Sequence, residues 1–280
     1  MPAVPNVKFG IITDLHLGWD DLATSNVDAA LHDFHSLDLD LIVVLGDMAD
    51  VREEHWRLVG EHIVRRITLP VIYVRGNADF QAGGDAAWSR SVPQPARYAM
   101  STNGVRFVAV GGQSDTHVLP IGGDGIEFLR QDLAEHRDEL GVVLCHAPIR
   151  NTTFWSCDND TDGCLAGLLP PNNPPFRLQL RESEAMLDTL RESPNARLFL
   201  SGHVHNDHRM RCDHGYGPMK QIDGVAHIVT ANLGGWVGIG VARKEGRVIH
   251  ITPDEILVRV RNVIDRCYVP ELDMRFPTRR

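Results

Sequence analysis

Short apolar runs alternate with amphipathic stretches through the first half of the chain. Val7–Thr13, Leu39–Leu45, Val71–Val74, Val105–Val110 and Val142–Cys145 read as strands. Between several of them the apolar positions recur with helical spacing. Asn26–Leu37 puts Val27, Ala30, Leu31 and Phe34 on one face, with Ser25 or Asn26 as the N-cap. Glu53–Ile67 does the same with Trp56, Val59, Ile63 and Ile67, and Gly125–Leu140 with Ile126, Leu129, Leu133 and His136. This alternation predicts α/β layering rather than an all-α or all-β fold.

The second half is patterned differently. Residues 150–181 are rich in Asn, Asp, Pro and Gly and too long for an ordinary connection, so a functional loop or lid is expected there. A short helix over about Glu182–Arg191 and a strand at Arg197–Leu200 follow. The runs Ala226–Ala231, Gly238–Arg243, Val248–Thr252 and Ile256–Val260 then predict hairpins of an antiparallel or mixed sheet. No repeat, low-complexity tract or linker interrupts the sequence, and residues 1–280 read as one domain.

Composition narrows the function without naming it. Hydrophobic residues make up 43% and charged residues 23%, ordinary for a water-soluble globular chain of 280 residues. The net charge of −9 argues against binding a nucleic acid duplex through its phosphates, while leaving room for a local basic pocket. No apolar run approaches the roughly 20 residues needed to span a bilayer. The N-terminal stretch has no secretory pattern. Five scattered cysteines suit a reducing compartment, and a cytoplasmic location is expected. Cys157 and Cys164 are the closest pair, and no disulfide is expected between them.

The chemistry lies at the ends of the strands. The first ends in Asp14-Leu15-His16, where residues i and i+2 of an extended chain face the same way. The second ends in Gly46-Asp47 followed by Asp50, the third in Gly76-Asn77 followed by Asp79. Later strands end at His146 and at Gly202-His203-Val204-His205. In open α/β sheets, sites lie beyond the carboxyl ends of strands. Any one of these acids could be a helix cap; the repetition points to a site. Asp, His and Asn donors suit Mn, Fe, Zn or Ni. One carboxylate can bridge two cations about 3.5–4 Å apart, and a hydroxide held between them is a ready nucleophile near neutral pH. The glycines before Asp47, Asn77 and His203 permit close approach of the backbone.

The ordered set D-x-H, G-D-x-x-D, G-N-x-D, H-x-P and G-H-x-H, from Asp14 to His205, resembles that of the calcineurin-like metallophosphoesterases. The resemblance implies an αββα sandwich of two mixed β-sheets flanked by helices. It implies two divalent metal ions, the first held by Asp14, His16, Asp47 and His205. The second would take Asp47, Asn77, His146 and His203, with Asp47 bridging. One position departs from the family pattern. Ala78 stands where an imidazole usually contacts the phosphate and assists the leaving group, and Asp50 would be that imidazole's carboxylate partner. Asp50 and Asp79 are therefore expected to act structurally, with Asp79 bracing its turn. Asn77, His146 and Asp50 remain the residues assigned to catalysis.

Relatives with a small residue at this position include phosphodiesterases. The expected activity is hydrolysis of a small phosphodiester, cyclic nucleotides being one candidate class. A phosphomonoester or a nucleotide pyrophosphate is the alternative substrate, and a non-catalytic protein-binding scaffold the alternative of another kind. Arg150 and Trp155 are candidates for substrate contact, with Arg52, Arg75 and Phe154 weaker ones. His208, Cys212, Asp213 and His214 are expected to be polar hairpin residues rather than a further metal site.

Overall fold

A computed structural model describes residues 4–153, 156, 179–205, 207–209, 216–234 and 244–279. Two mixed sheets stack face to face. The first contains β1 (Val7–Ile12), β2 (Leu41–Val44) and β3 (Val71–Tyr73), joined in parallel. The second contains β4 (Arg97–Thr102) and β5 (Val105–Val110), which form an antiparallel hairpin. A small parallel pair links β6 (Val118–Leu119) to β8 (Gln179–Leu180). Next to β5, the second sheet continues in parallel through β7 (Leu140–Leu144), β9 (Ala196–Ser201) and β11 (Val225–Val229), and β10 (Met219–Ile222) closes its edge. The chain then returns to the first sheet. There β12 (Glu245–Ile251) lies antiparallel beside β1, followed by β13 (Glu255–Asn262), β14 (Cys267–Tyr268) and β15 (Met274–Pro277).

Strand alternation distributes the side chains among three cores. Phe9, Ile11, Phe107, Val142, Leu198 and Ile249 fill the space between the sheets. Phe9 and Phe107 meet edge to face with centroids 5.2 Å apart, a geometry contributing ~0.5–1.5 kcal/mol beyond area burial. The outer face of the first sheet packs on α1 (Asp21–His35), α2 (Trp56–Val59) and their neighbours through Ile12, Val44, Val27, Phe34 and Trp56. After α2 and β3 in the chain come α3 (Asn77–Gln81) and α4 (Gly84–Ser91). The outer face of the second sheet packs on α5 (Gly122–Glu135) and α6 (Ser183–Glu192) through Val108, Val143, Phe199, Leu129 and Met186. The layers are α-β-β-α, as the family resemblance implies.

Several expected boundaries are corrected. α1 begins one turn earlier than the apolar stripe suggests, because Asp20 is the N-cap and accepts from the Ala23 N–H at 2.8 Å. Asn26 is instead buried, and its Nδ2 donates to the Leu233 carbonyl at 3.1 Å. The expected helix over Glu53–Ile67 divides into a 3₁₀ turn at Glu53–His55, α2, and a π-helical turn at Gly60–Val64. Its stripe still faces inward at Trp56, Val59 and Ile63. α5 stops at Glu135 because Leu140 already belongs to β7. The strand expected at Gly238–Arg243 lies outside the described residues. Within 150–181, Gln179–Leu180 is a strand rather than loop.

Candidate metal centre

The carboxyl ends of β1, β2, β3, β7 and β9 point to one place, and each is followed by a segment carrying Asp, Asn or His. Asp14, His16, Asp47 and His205 offer ligand atoms within 4.8 Å of one another. Asp47, His146 and His203 form a second such group, so Asp47 belongs to both. Its Oδ2 lies 3.2 Å from His146 Nε2 and 3.7 Å from His16 Nε2. His205 Nε2 is 3.1 Å from Asp14 Oδ1 and 3.0 Å from His16 Nε2. All seven residues named from the sequence are buried, including Asn77 at 7% exposure.

The backbone is bent to bring them there. Asp14 (φ 53°), His16 (43°), Asp47 (51°), His203 (71°) and His205 (30°) all occupy the left-handed region. For residues with a Cβ this is uncommon, at a cost of about 1–3 kcal/mol each, and it clusters at functional sites. The neighbouring glycines are steric necessities. A Cβ on Gly46 would fall 2.3 Å from His146 Nδ1, and one on Gly76 would fall 2.1 Å from Asp47 Oδ1. Leu233 and Gly234, beyond β11, donate to the carbonyls of Thr13 and Asp14, each at 3.0 Å. That segment is also the one Asn26 holds from α1.

Hydrogen bonds orient each ring. His146 Nδ1 donates to the Leu45 carbonyl at 2.8 Å, which turns Nε2 inward. His203 Nε2 donates to the His117 carbonyl at 2.9 Å, leaving Nδ1 for the cluster. His16 Nδ1 lies 3.5 Å from Asp50 Oδ1. Asp50 also approaches His55, whose Nδ1 donates to the Asp50 carbonyl at 2.8 Å. Asp50 thus positions His16. Asp79 braces its turn: Oδ1 accepts from the N–H groups of Met48 and Ala49, and Oδ2 from that of Gly76. The Ala78 N–H donates to Asp47 Oδ1 at 2.9 Å.

The electrostatics suit cations. Burial pushes the Asp14 carboxyl up, but His146 and His205 outweigh it and bring it down to about 2. Asp47 goes down likewise, burial being outweighed by His146, His16 and His203. Burial opposes charge on His146, yet Asp47 and Asp14 raise it to about 10. Burial and the nearby His146 press His203 down to about 3. Two anionic carboxylates thus demand positive charge in a buried place. Among the described residues Asn77 Oδ1 has no hydrogen-bond partner there, and His146 Nε2 faces the carboxylates of Asp47 and Asp14 at 3.2 and 3.7 Å, although buried polar groups are normally satisfied. The donor set therefore fits two metal ions, with oxygen and imidazole donors and no thiolate.

Other candidates are placed elsewhere. Arg75 is buried, donates from Nε to the Gly112 carbonyl at 2.7 Å and pairs with Asp85, with its guanidinium over the rings of Phe80 and Trp88. Arg150 pairs through Nη2 with Glu184 at 2.5 Å. Arg52 lies on the surface, 3.9 Å from Glu54. Phe154, Trp155, Cys157, Cys164, Cys212, Asp213 and His214 lie outside the described residues. His208 is a correction: it is fully buried, with Nδ1 3.2 Å from Glu245 and Nε2 accepting from the Ala231 N–H. The sequence missed His117, which lies beyond β5. The position of its loop at a parallel-strand end was the available signal.

A sandwich of two mixed sheets with paired acid–imidazole clusters at converging strand ends defines a dinuclear metallophosphoesterase architecture. The model of the calcineurin-like phosphoesterases matches residues 7–207, and the chain belongs to that family. No curated protein matches the sequence. Among solved structures, a dimetal phosphatase from Danio rerio is similar at 15% identity and a TM-score of 0.70, covering 98% of this chain and 99% of that one. The purple acid phosphatase PPD1 from yellow lupin seeds has 13% identity and a TM-score of 0.62, over 95% of this chain and 53% of that one. GAP50, the anchor in the inner membrane complex of Plasmodium, has 11% identity and a TM-score of 0.62, over 98% and 90%. At these identities the likeness is one of fold.

Proposed function

We propose that the chain hydrolyses small phosphodiesters at a dinuclear metal centre, cyclic nucleotides being one candidate class. The observation that carries this reading is Asp47, whose carboxylate belongs to both clusters and faces His16 on one side and His146 on the other. In this reading Asp14, His16, Asp47 and His205 hold one cation, and Asp47, Asn77, His146 and His203 the other. Bound there, the cations would supply Lewis acidity and lower the pKa of water toward neutrality.

The chain's own groups do the rest. Asp14 and Asp47 supply the negative charge that fixes the cations. Leu45 and His117, through their carbonyls, set which imidazole nitrogen faces the cluster, and Asp50 does so for His16. Such supporting contacts are typically worth about 10–100-fold in metal affinity or activity. A water attacks phosphorus in line and gives up a proton to solvent; the new P–O bond forms as the bond to the leaving oxygen breaks, and that oxygen departs with the bonding pair. Ala78 has no proton to give that oxygen. Either another group therefore protonates that oxygen, as an alkoxide leaving group such as the ribose oxygen of a cyclic nucleotide requires, or the substrate has a leaving group that is already a weak base.

The discriminating experiment is metal analysis of protein purified without chelator, followed by hydrolysis of bis(p-nitrophenyl) phosphate and of p-nitrophenyl phosphate with Mn²⁺. About two metals per chain and faster cleavage of the diester are expected. Faster cleavage of the monoester would favour a phosphomonoesterase, a reading supported by the two phosphatases of similar fold. No metal and no turnover would favour a scaffold, the kind of role named for GAP50. The complete set of seven donor residues speaks against that reading.

A further inference from the structure

His208 joins three segments on which the metal centre depends. It follows His205 by three residues and is 1% exposed. Its Nε2 accepts from the Ala231 N–H at 3.0 Å, so that nitrogen carries no proton. The neutral ring then has its proton on Nδ1, which donates to Glu245 Oε2 at 3.2 Å. Both ring nitrogens thus meet partners of the matching kind. Glu245 opens β12, is buried, and also accepts from Arg209 Nη1 and Nη2, each at 3.0 Å. The Arg209 N–H donates in turn to Asp207 Oδ1 at 2.8 Å. Packing alone does not call for such a network, since apolar residues of similar volume are often at least as stabilising as a buried ionic cluster.

The three segments meet at the end of β1. Ala231 begins the stretch whose Leu233 and Gly234 N–H groups grip the carbonyls of Thr13 and Asp14. β12, which Glu245 opens, runs antiparallel beside β1. The third segment carries His205. Asp14 and His205 both belong to the first donor set, and His205 Nε2 stands 3.1 Å from Asp14 Oδ1. The second set is held by other bonds. His146 is fixed by the Leu45 carbonyl, His203 by the His117 carbonyl, and Asn77 by its place at the start of α3. None of those bonds runs through His208.

Resting on the dinuclear reading, we propose that His208 is a positioning residue for the first cation. It fixes where His205 stands relative to Asp14, and so sets the metal affinity of the first donor set and not of the second.

The test is Zn²⁺ competition against a chromophoric chelator in two backgrounds. In Asn77→Ala, which leaves the first donor set whole, adding His208→Phe should weaken binding by about tenfold or more. In His205→Ala, which leaves the second set whole, it should change binding by less than about threefold. His208→Gln, whose amide can accept from Ala231 and donate to Glu245, should restore most of the loss. Equal weakening in both backgrounds marks a merely structural role and overturns the proposal, as does no weakening in the first, or a His208→Gln variant no better than His208→Phe. A wild-type chain that binds no Zn²⁺ overturns the dinuclear reading and this proposal with it. Two bound ions and no effect of His208→Phe overturn this proposal alone. If His208→Phe does not fold, hydrogen exchange of the Ala231 amide in Asn77→Ala decides, read where it exchanges faster than the Val108 amide of β5 and so by local opening. Coupling is reciprocal, so Zn²⁺ should slow that exchange by about tenfold or more, and an unchanged rate overturns the proposal.

Discussion

Asp47 can serve two clusters because two glycines leave room for its neighbours. The tighter case is Gly76, where an added Cβ would meet Asp47 Oδ1 at 2.1 Å and the Asp47 backbone nitrogen at 2.6 Å. Neither atom can retreat without moving the proposed bridge. Gly76→Ala should therefore weaken metal binding by about 10–100-fold, the range for disturbed supporting contacts. Competition with a fluorescent chelator measures this; unchanged affinity would mean that Asp47 is not fixed by this approach. Ala78 poses the opposite test. It is buried beside Asn77, and its N–H already serves Asp47. Ala78→His should speed hydrolysis of alkyl phosphodiesters by up to about 10²-fold, within the range of general acid assistance. Nitrophenyl esters, whose leaving group needs no proton, should change little. A variant that speeds neither, or slows the alkyl ester, removes the leaving-group argument.

At the scale of elements, strands were easier to read than helix ends. The positions of β1, β2, β3, β5, β7 and β9 followed from uninterrupted apolar runs, and all of these but β5 ended in a chemically distinctive residue such as Asp14, Asp47 or His146, whereas β4, β6, β8, β10, β14 and β15 lack such a run and were not read. The convergence of those residues was legible because parallel strands deliver their carboxyl ends to one side. The start of α1 was not legible, since Asp20 precedes the first apolar position and Asn26 mimics a cap while tying the helix to Leu233. The π turn at Gly60–Val64 leaves the spacing of Val59 and Ile63 unchanged, so periodicity could not reveal it. Pairing between α1 and β13 was equally hidden, being 228 residues apart in sequence. There the buried Asp33 carboxylate accepts from Arg261 Nε at 2.8 Å and Nη2 at 2.6 Å. Arg261→Met leaves that carboxylate buried without its partner, near the helix end where the dipole also disfavours it. The loss should be about 3–5 kcal/mol in urea unfolding, and Asp33→Leu added to Arg261→Met should recover most of it. A loss below about 1 kcal/mol would mark the pair as a screened surface contact.

For the molecule as a whole, acid stability is governed in part by imidazoles folded in neutral form. His227, on β11, is 1% exposed, with its ring 5.7 Å from that of Phe199 and Nδ1 unpartnered. Burial, assisted by Lys220 across the hairpin, lowers its pKa to about 4 from an ordinary 6.5. His208 is lowered to about 4 as well, by burial and then by Arg247. In the unfolded chain both groups take up a proton below about pH 6.5, which the folded state refuses until near pH 4. The unfolded state therefore binds more protons across that window, and stability falls as the pH drops through it. It is fully present above pH 6.5. For one such histidine the loss by pH 5 is about 2 kcal/mol. His227 is the cleaner test, because it belongs to neither the metal centre nor the Glu245 cluster that holds His208. His227→Phe keeps a ring beside Phe199 and removes the titration. Urea unfolding at pH 7.5 and at pH 5.0 should show the difference between the two pH values shrinking by about 2 kcal/mol in the variant. An unchanged difference would mean that His227 charges freely in the folded protein, and the tight packing of β11 against its neighbours would have to be redrawn.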